Sequence, residues 1–285
     1  MRKGVDVVKG KIGVFDSGYG GLTVLKELIN VLPNYDYVYF GDNARAPYGT
    51  KSYEVVLNYT LEAIEFLFEK GCELIILACN TASAKALRTI QQTILPIKYP
   101  GKRVLGVIRP STELVGGRSK SKKIGVLATQ GTVNSNSYKI ELLRFNEGVE
   151  VFQLACPLWV PLIENKKWDS AEGRALIKQD VDALLKLNSD IDTIILACTH
   201  FPLIIDYLTE IIPNHISILG QGSIVAKSLR DYLKKHEWLD KKLCKAKSLT
   251  FYTSEEISMF TNFVKLEFSN IFTDYKVLDY NKTNC

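Results

Sequence analysis

The chain has 285 residues, of which 46% are hydrophobic and 24% charged, and its net charge is +5. These values are typical of a globular protein of about two domains. The basic residues form no single tract, which argues against a nucleic-acid surface, and no apolar run reaches the roughly 18 residues that span a bilayer. Residues 1–11 carry charges without an apolar core, so we expect no signal peptide and a cytoplasmic protein.

The first part of the chain alternates short apolar segments with helical patterns. We predict strands at residues 11–15, 37–40 and 74–78, and helices at residues 22–30, 52–70 and 83–92. Strands that alternate with helices indicate right-handed βαβ units around a parallel sheet.

One segment of this part has a counterpart further along the chain. Residues 74–81 (Leu-Ile-Ile-Leu-Ala-Cys-Asn-Thr) match residues 193–200 (Thr-Ile-Ile-Leu-Ala-Cys-Thr-His). In both copies a continuous apolar run indicates a strand buried on both faces, and the following polar residues indicate a helix start, at Asn80 or Thr81 and at Thr199. Cys79 and Cys198 are therefore predicted between a strand end and a helix N-terminus. Open α/β sheets bind ligands there, and the helix dipole favours a thiolate.

A second match indicates two homologous halves. Residues 11–18 resemble residues 123–131, and both matches have an offset of about 110 to 120 residues. We therefore predict an α/β fold with two pseudo-symmetric lobes, each a mostly parallel sheet flanked by helices, and a site in the cleft between them.

The lobe boundaries are predicted where Pro, Gly and charged residues break the periodicity. We place residues 1–105 with 223–285 in the first lobe and residues 106–222 in the second, so that the chain crosses twice. Two crossings permit closure of the lobes over a ligand. Residues 1–10 precede the first motif and are interpreted as an extension.

Two loops are expected beside the thiols. Residues 16–21 form a glycine-rich turn that can offer backbone N–H groups to an anion, although the turn lacks the dinucleotide-binding pattern. Asp16 is either a buried helix cap or a group that orients a reacting partner. In residues 41–49, Arg45 either binds a carboxylate or is surface charge. His200 is either a core histidine or a partner of Cys198.

No cofactor is expected. The six cysteines form no CxxC pair and no disulfide scaffold, and with three histidines a structural zinc site is not indicated. Nothing in the sequence suggests pyridoxal phosphate, another metal or nicotinamide.

Four motifs, in order, resemble the glutamate racemase family, which is cofactor-independent and supplies D-glutamate for peptidoglycan. They are residues 14–21 (Val-Phe-Asp-Ser-Gly-Tyr-Gly-Gly), 41–49 (Gly-Asp-Asn-Ala-Arg-Ala-Pro-Tyr-Gly), 78–83 (Ala-Cys-Asn-Thr-Ala-Ser) and 198–203 (Cys-Thr-His-Phe-Pro-Leu). Residues 155–158 and 251–254 extend the resemblance. The family often has Gly where this chain has Ala197, and often an acidic or small residue where it has Arg109.

The resemblance implies roles for individual residues. Cys79 would exchange the α-proton on the face presented by D-glutamate, assisted by Asp16, and Cys198 the proton on the other face, assisted by His200. Substrate contacts would come from Ser17, Pro47, Tyr48, Gly49, Asn80, Thr81 and Thr199 as well as these four, with Glu164 as a further polar group near Cys198. The family also implies a homodimer, and Arg109 is a candidate for regulation or assembly.

The residues support this chemistry independently of the resemblance. Inverting a stereocentre requires proton removal from one face and delivery to the other, which two thiols on facing lobes can perform. Two alternatives stay open: an aspartate or other amino-acid racemase with the same thiol pair, and a bilobal amino-acid-binding protein without catalysis.

Overall fold

The computed structural model describes residues 10–115 and 117–283 of the chain, so residues 1–9 of the predicted extension lie outside the described part. The strands are β1 (Lys11–Asp16), β2 (Tyr37–Gly41), β3 (Cys72–Leu77), β4 (Arg103–Gly106), β5 (Lys123–Ala128), β6 (Glu150–Ala155), β7 (Thr193–Ala197), β8 (Ser217–Leu219), β9 (Leu249–Thr253) and β10 (Lys276–Asp279).

The helices connect these strands. They are α1 (Leu22–Val31), α2 (Tyr53–Glu69), α3 (Asn80–Lys85), α4 (Leu87–Thr89), α5 (Leu95–Lys98), α6 (Ile108–Val115), α7 (Gln130–Asn134), α8 (Ser137–Phe145), α9 (Trp159–Glu164), α10 (Ala171–Leu187), α11 (Ile205–Ile211), α12 (Gly222–Lys235), α13 (Glu237–Asp240) and α14 (Ile257–Phe268). Short 3₁₀ segments are Asn43–Arg45, Tyr48–Thr50 and Phe201–Ile204, and Ile90–Ile94 is a π-helical turn.

The strands form two sheets. The first has six strands in the order β10-β9-β2-β1-β3-β4, and the second has four in the order β6-β5-β7-β8. Every strand pairing is parallel. The prediction of an α/β fold with two lobes built on parallel sheets is therefore confirmed. The boundaries at residues 105/106 and 222/223 stay a prediction.

Apolar side chains on both faces of each sheet explain why the strand sequences are continuous apolar runs. In β7 all five residues are buried, and in β3 five of six are buried. Separate apolar clusters cover the two faces of the first sheet and the two faces of the second. Helices cover both faces, as parallel sheets require.

Most predicted helices are found near their expected limits. The prediction for residues 52–70 is confirmed because Ser52 caps α2 and accepts a hydrogen bond from Val55 N at 3.3 Å, while Lys70 follows the last helical residue. The helix start predicted at Asn80 or Thr81 is confirmed at Asn80. The helix expected over residues 83–92 is thus part of a longer stretch of short helical pieces from Asn80 to Lys98, with a break at Ala86.

Different local structures follow the two cysteines, which corrects the expectation that each of them directly precedes a helix N-terminus. Cys79 is the N-cap of α3, and its sulfur accepts a hydrogen bond from Ala82 N at 3.5 Å. Cys198 does not cap an α-helix, because a 3₁₀ segment begins at Phe201 and α11 begins only at Ile205. Of the two cysteines, only Cys79 therefore receives an N–H donor from the first turn of an α-helix.

Close packing fixes the chain where it leaves the second sheet. A Cβ on Gly222 would lie 3.0 Å from Thr23 O and 2.9 Å from Glu27 Cγ, so the start of α12 rests directly on α1. Strands β9 and β10 then extend the first sheet beyond β2. In the described part of the chain, no helix has the length and apolar character needed to cross a bilayer.

Candidate active site

A pocket lies between the two sheets, at the carboxyl ends of their strands. The space between its walls, including the part open to solvent, is about 340 Å³. It is lined by Ser17, Ala46, Pro47, Tyr48, Gly49, Cys79, Asn80, Thr81, Thr129, Val160, Glu164, Cys198, Thr199 and His200. All predicted site residues except Asp16 are in this lining, and both repeat cysteines are among them.

Cys79 is a buried thiol on the first-sheet side of the pocket. It donates to Ser17 Oγ at 3.4 Å and is 5% exposed. Burial and the nearby carboxylate of Asp16 raise the pKa of Cys79 to about 12, although its hydrogen bonds with the Ser17 hydroxyl and with Ala82 N–H lower it. At neutral pH Cys79 is therefore protonated and can give a proton.

Cys198 lies in a different electrostatic environment. His200 Nδ1 is 4.0 Å from its sulfur, and His200 Nε2 lies 2.8 Å from Glu164 Oε1. Burial lowers the pKa of His200, but hydrogen bonds to Cys198 and Glu164 and the negative charge of both partners more than offset it and raise the pKa to about 10. The imidazole is thus a cation at neutral pH, placed between a carboxylate and a sulfur.

Asp16 lies behind the lining and links the two sheets. Its carboxylate accepts hydrogen bonds from Gly18 N at 3.0 Å and from Thr199 Oγ1 at 3.2 Å. Burial raises the pKa of Asp16, although the charge of His200 and these donors oppose the rise. The carboxylate makes no hydrogen bond to Cys79 in the described part of the chain, so it acts on that thiol through its charge.

Glycine allows the glycine-rich turn to approach the second sheet. A Cβ on Gly20 would lie 2.4 Å from Thr199 Oγ1 and 2.5 Å from His200 Nδ1. Thr23 Oγ1 also donates to Thr199 O at 3.0 Å. The turn that follows β1 therefore holds the loop that follows Cys198.

The loop after β2 supplies part of the pocket wall, but not its arginine. Arg45 Nε donates to Asp42 Oδ2 at 2.6 Å, and the guanidinium also pairs with Glu62 and lies over the ring of Tyr59. Tyr48 donates to the same Asp42 oxygen at 2.5 Å. Of the two alternatives for Arg45, the structure therefore places it in an ion-pair cluster behind the loop rather than in the pocket.

Sequence reasoning missed three lining residues, Ala46, Thr129 and Val160. A signal for Thr129 is present, because the internal repeat aligns it with Ser17. Thr129 Oγ1 is 2.9 Å from Thr81 Oγ1, a hydrogen bond that joins the two sides of the pocket. Ala46 lies within the second of the four family motifs, whereas no sequence signal marks Val160.

The pocket is suited to a small zwitterion with reacting groups on two sides. Hydroxyl groups of Ser17, Thr81, Thr129 and Thr199 line it, and among the described residues no Lys or Arg does. The described residues include no group of three or more His, Cys, Asp or Glu side chains that could hold a metal ion. The thiol of Cys79 on one side of the pocket and the sulfur of Cys198, beside the His200 cation, on the other side are two groups able to exchange protons.

Comparison with known proteins shows the family of the chain. The family model of the Asp/Glu/hydantoin racemases matches residues 12–225. The chain belongs to this racemase family. Glutamate racemase from Geobacter metallireducens is 41% identical to it over 228 residues, which cover 80% of this chain and 82% of that protein.

Solved structures of the racemase family have the same fold. A glutamate racemase isoform from Bacillus anthracis superposes with a TM-score of 0.84 at 33% identity and covers 95% of this chain and 97% of its own. Glutamate racemase from Francisella tularensis in complex with D-glutamate gives 0.81 at 31% identity, with coverages of 95% and 97%. The family resemblance stated from the motifs is therefore confirmed.

Arg109, the departure from the family pattern, lies away from the pocket. It is exposed on α6, pairs with Glu113 at 2.8 Å and lies over the ring of Phe145. A role in regulation or assembly stays a prediction.

Proposed function

We propose that this chain interconverts L-glutamate and D-glutamate without a cofactor, by a two-base mechanism in which Cys79 and Cys198 act on opposite faces of the α-carbon. The observation that carries the proposal is the pair of thiols, which follow strands of different sheets and line one small pocket. The relatives named glutamate racemase support the choice of substrate.

Each direction uses one sulfur as base and the other as acid. With L-glutamate bound, the Cys198 thiolate takes the α-proton, and the electron pair of the C–H bond passes to the α-carbon and its carboxylate. The Cys79 S–H then gives its proton to the opposite face, which yields D-glutamate. This step leaves Cys198 protonated and Cys79 as the thiolate, which is the starting state for the reverse reaction with D-glutamate. Proton exchange with solvent returns the two sulfurs to the first state for another turnover of L-glutamate.

The electrostatics of the pocket support this assignment of the starting state. Cys79, with its pKa raised to about 12 by burial and by Asp16, enters as the acid. The His200 cation beside Cys198 favours negative charge there. Glu164 supports the same state by holding the proton on His200.

The substrate contacts are proposed from the pocket lining. The hydroxyl groups of Ser17, Thr81 and Thr199, with the amide of Asn80, would bind the carboxylates and ammonium group, while Pro47, Tyr48 and Gly49 form the facing wall. Such donors also stabilise the carbanion in a closed site. We further propose a cytoplasmic homodimer that supplies D-glutamate for peptidoglycan.

The test is solvent deuterium exchange at the α-carbon for wild type, Cys79→Ser and Cys198→Ser. We expect wild type to incorporate deuterium into both glutamate enantiomers, and each variant to lose about 10²- to 10⁴-fold in interconversion. Cys72→Ala is the matched control, since it removes a buried thiol from β3, the strand that leads to Cys79, without reaching the pocket. Wild-type racemisation by both serine variants would refute the mechanism.

The same assay separates the alternatives. An aspartate racemase would exchange the α-proton of aspartate faster than that of glutamate. A binding protein would bind glutamate in calorimetry but would exchange the α-proton of neither enantiomer, and neither Cys→Ser change would alter that result.

A further inference from the structure

Three buried side chains from distant parts of the chain form a closed ring of hydrogen bonds beside Cys79. Asn80 Nδ2 donates to Gln221 Oε1 at 2.6 Å, Gln221 Nε2 donates to Tyr138 Oη, and Tyr138 Oη donates to Asn80 Oδ1 at 2.6 Å. The three residues are 2%, 3% and 0% exposed, in the order Asn80, Gln221 and Tyr138. Of the three, only Asn80 lines the pocket.

The ring has a direction, because each member gives one hydrogen and accepts one. A flipped Asn80 amide would set its oxygen against Gln221 Oε1, so that two buried acceptors would face each other. Reversing the whole ring would require Gln221 to turn as well. The orientation of the Asn80 amide is therefore determined by Gln221 and Tyr138.

Contacts outside the ring hold Gln221 in the required orientation. Its Nε2 atom also lies 3.1 Å from Ser111 Oγ and 3.4 Å from Val107 O. Ser111 gives its own hydrogen to Val107 O at 2.9 Å, so its oxygen remains an acceptor for Gln221. The amide nitrogen of Gln221 thus faces acceptors, and its oxygen is left for Asn80.

The ring also connects the two places where the chain passes between the sheets. Gln221 lies between β8 of the second sheet and α12, while Val107 and Ser111 follow β4 of the first sheet. Tyr138 comes from α8, whose apolar side packs under the second sheet. The Asn80 amide is therefore held by groups whose relative positions depend on how the lobes meet.

We propose that Gln221 and Tyr138 are positioning residues that hold the Asn80 amide with an N–H group directed to the carboxylate of the bound amino acid. Within the described part of the chain, Asn80 Nδ2 has one acceptor, so its second hydrogen is left for a ligand. The inference rests on the proposed function, since it assumes a carboxylate in this pocket. It adds two residues outside the lining to those that determine substrate affinity.

The test compares Tyr138→Phe with Tyr37→Phe, each of which removes one buried tyrosine hydroxyl. Tyr37 donates to Leu32 O at 3.0 Å in the core of the first lobe and has no contact with the pocket. We expect Tyr138→Phe to raise KM for both enantiomers by roughly 5- to 30-fold with little change in kcat, the pattern for binding lost equally from ground state and transition state. Tyr37→Phe should lower Tm but leave KM unchanged.

A double-variant comparison makes the role of Asn80 explicit. In an Asn80→Ala background, Tyr138→Phe should cause no further rise in KM, because the group that it positions is absent. Gln221→Met serves as a second ring variant should Tyr138→Phe fold poorly, and it should show the same dependence on Asn80. An equal rise in KM with and without Asn80, or a KM no higher than that of Tyr37→Phe, would overturn the proposal.

Failure of the proposed function gives a different result. In that case wild type would not racemise glutamate at all. The calorimetric Kd of D-glutamate would then test the ring: weaker binding in Tyr138→Phe but not in Tyr37→Phe supports it, and equal binding by both refutes it.

Discussion

Replacing Glu164 by Gln removes the negative charge that faces His200 and should change how the enzyme responds to pH. The carboxylate lies 2.8 Å from His200 Nε2, and His200 is 4% exposed. Gln retains a hydrogen-bonding oxygen of similar shape, so the change is mainly one of charge. An opposite charge at this distance shifts a pKa by about 1 to 3. We therefore expect the pKa of His200 to fall from about 10 by that amount.

The sign of the stability effect is set by the direction of the shift. The folded-state pKa of about 10 is above the ordinary value of 6.5, so the stabilisation by the protonated pair is complete below about pH 6.5 and is lost as pH rises through 10. A hydrogen bond to a charged group contributes about 1.5–3 kcal/mol. Glu164→Gln should cost about that much free energy of unfolding at pH 6, and less near pH 10.

Two measurements test this prediction. The chain has three histidines, so the ring carbon resonance of His200 can be assigned by substitution and followed in an NMR titration. Urea denaturation at pH 6 and pH 10 gives the difference in free energy of unfolding between wild type and Glu164→Gln. In the pH–rate profile, the fall in rate on the alkaline side should occur at a lower pH in the variant than in wild type. Glu267→Gln is the control, because Glu267 pairs with Lys166 just beyond α9 at 3.1 Å without touching His200. An unmoved His200 titration, or a stability cost that grows with pH, would refute the reasoning.

Three further predictions address the thiols, the glycine-rich turn and a helix end. Asp16→Asn should lower the pKa of Cys79 and speed its alkylation by iodoacetamide, whereas Ser17→Ala should raise that pKa and slow the alkylation. Mass spectrometry of the Cys79 peptide measures the alkylation rate of each variant. Faster alkylation in Ser17→Ala than in Asp16→Asn would contradict the electrostatic account. Gly20→Ala should lower kcat/KM by at least about tenfold because its Cβ would displace Thr199 and His200. Gly117→Ala is the control and should leave kcat/KM unchanged, because a Cβ there would have no atom nearer than 4.0 Å. Equal kinetics for the two variants would show that the close approach at Gly20 is unimportant. Ser170→Ala removes the cap that accepts from Gly173 N at 3.0 Å and should cost about 1 kcal/mol in urea denaturation with unchanged kinetics, so a kinetic loss without a stability loss would contradict a purely structural role.

Much of the fold was predictable because its signals are local. The apolar runs of β3 and β7, the Ser52 cap of α2 and the alternation of strands with helices each depend on neighbouring residues. The helix after Cys79 shows both the success and the limit. The start predicted at Asn80 or Thr81 is found at Asn80, where the Cys79 sulfur serves as the cap, but the helical pieces continue to Lys98, beyond the predicted end at residue 92.

The difference between the two thiols was less accessible from the sequence. The repeat predicted equivalent settings for Cys79 and Cys198, each before a helix. The structure gives a helix cap to the first and a 3₁₀ segment with an adjacent imidazole to the second. The identical Ala-Cys strand ends contain no information on this difference. His200, two residues after Cys198, was already a candidate partner of that thiol from the sequence, whereas Glu164, which contacts the other nitrogen of the imidazole, comes from a separate segment of the chain.

By itself the sequence determined the parallel α/β class, the strand ends that carry the cysteines, and nearly all of the pocket lining. The fold class and the strand ends have short-range signatures in strand burial and capping, whereas the lining residues followed from the resemblance of four motifs to the racemase family. The tertiary structure alone decided which groups meet: Glu164 with His200 across 36 residues, Gln221 with Asn80 across 141, and Thr199 with Asp16 across 183. Such pairs depend on how two lobes pack together, and no local periodicity or propensity specifies that packing.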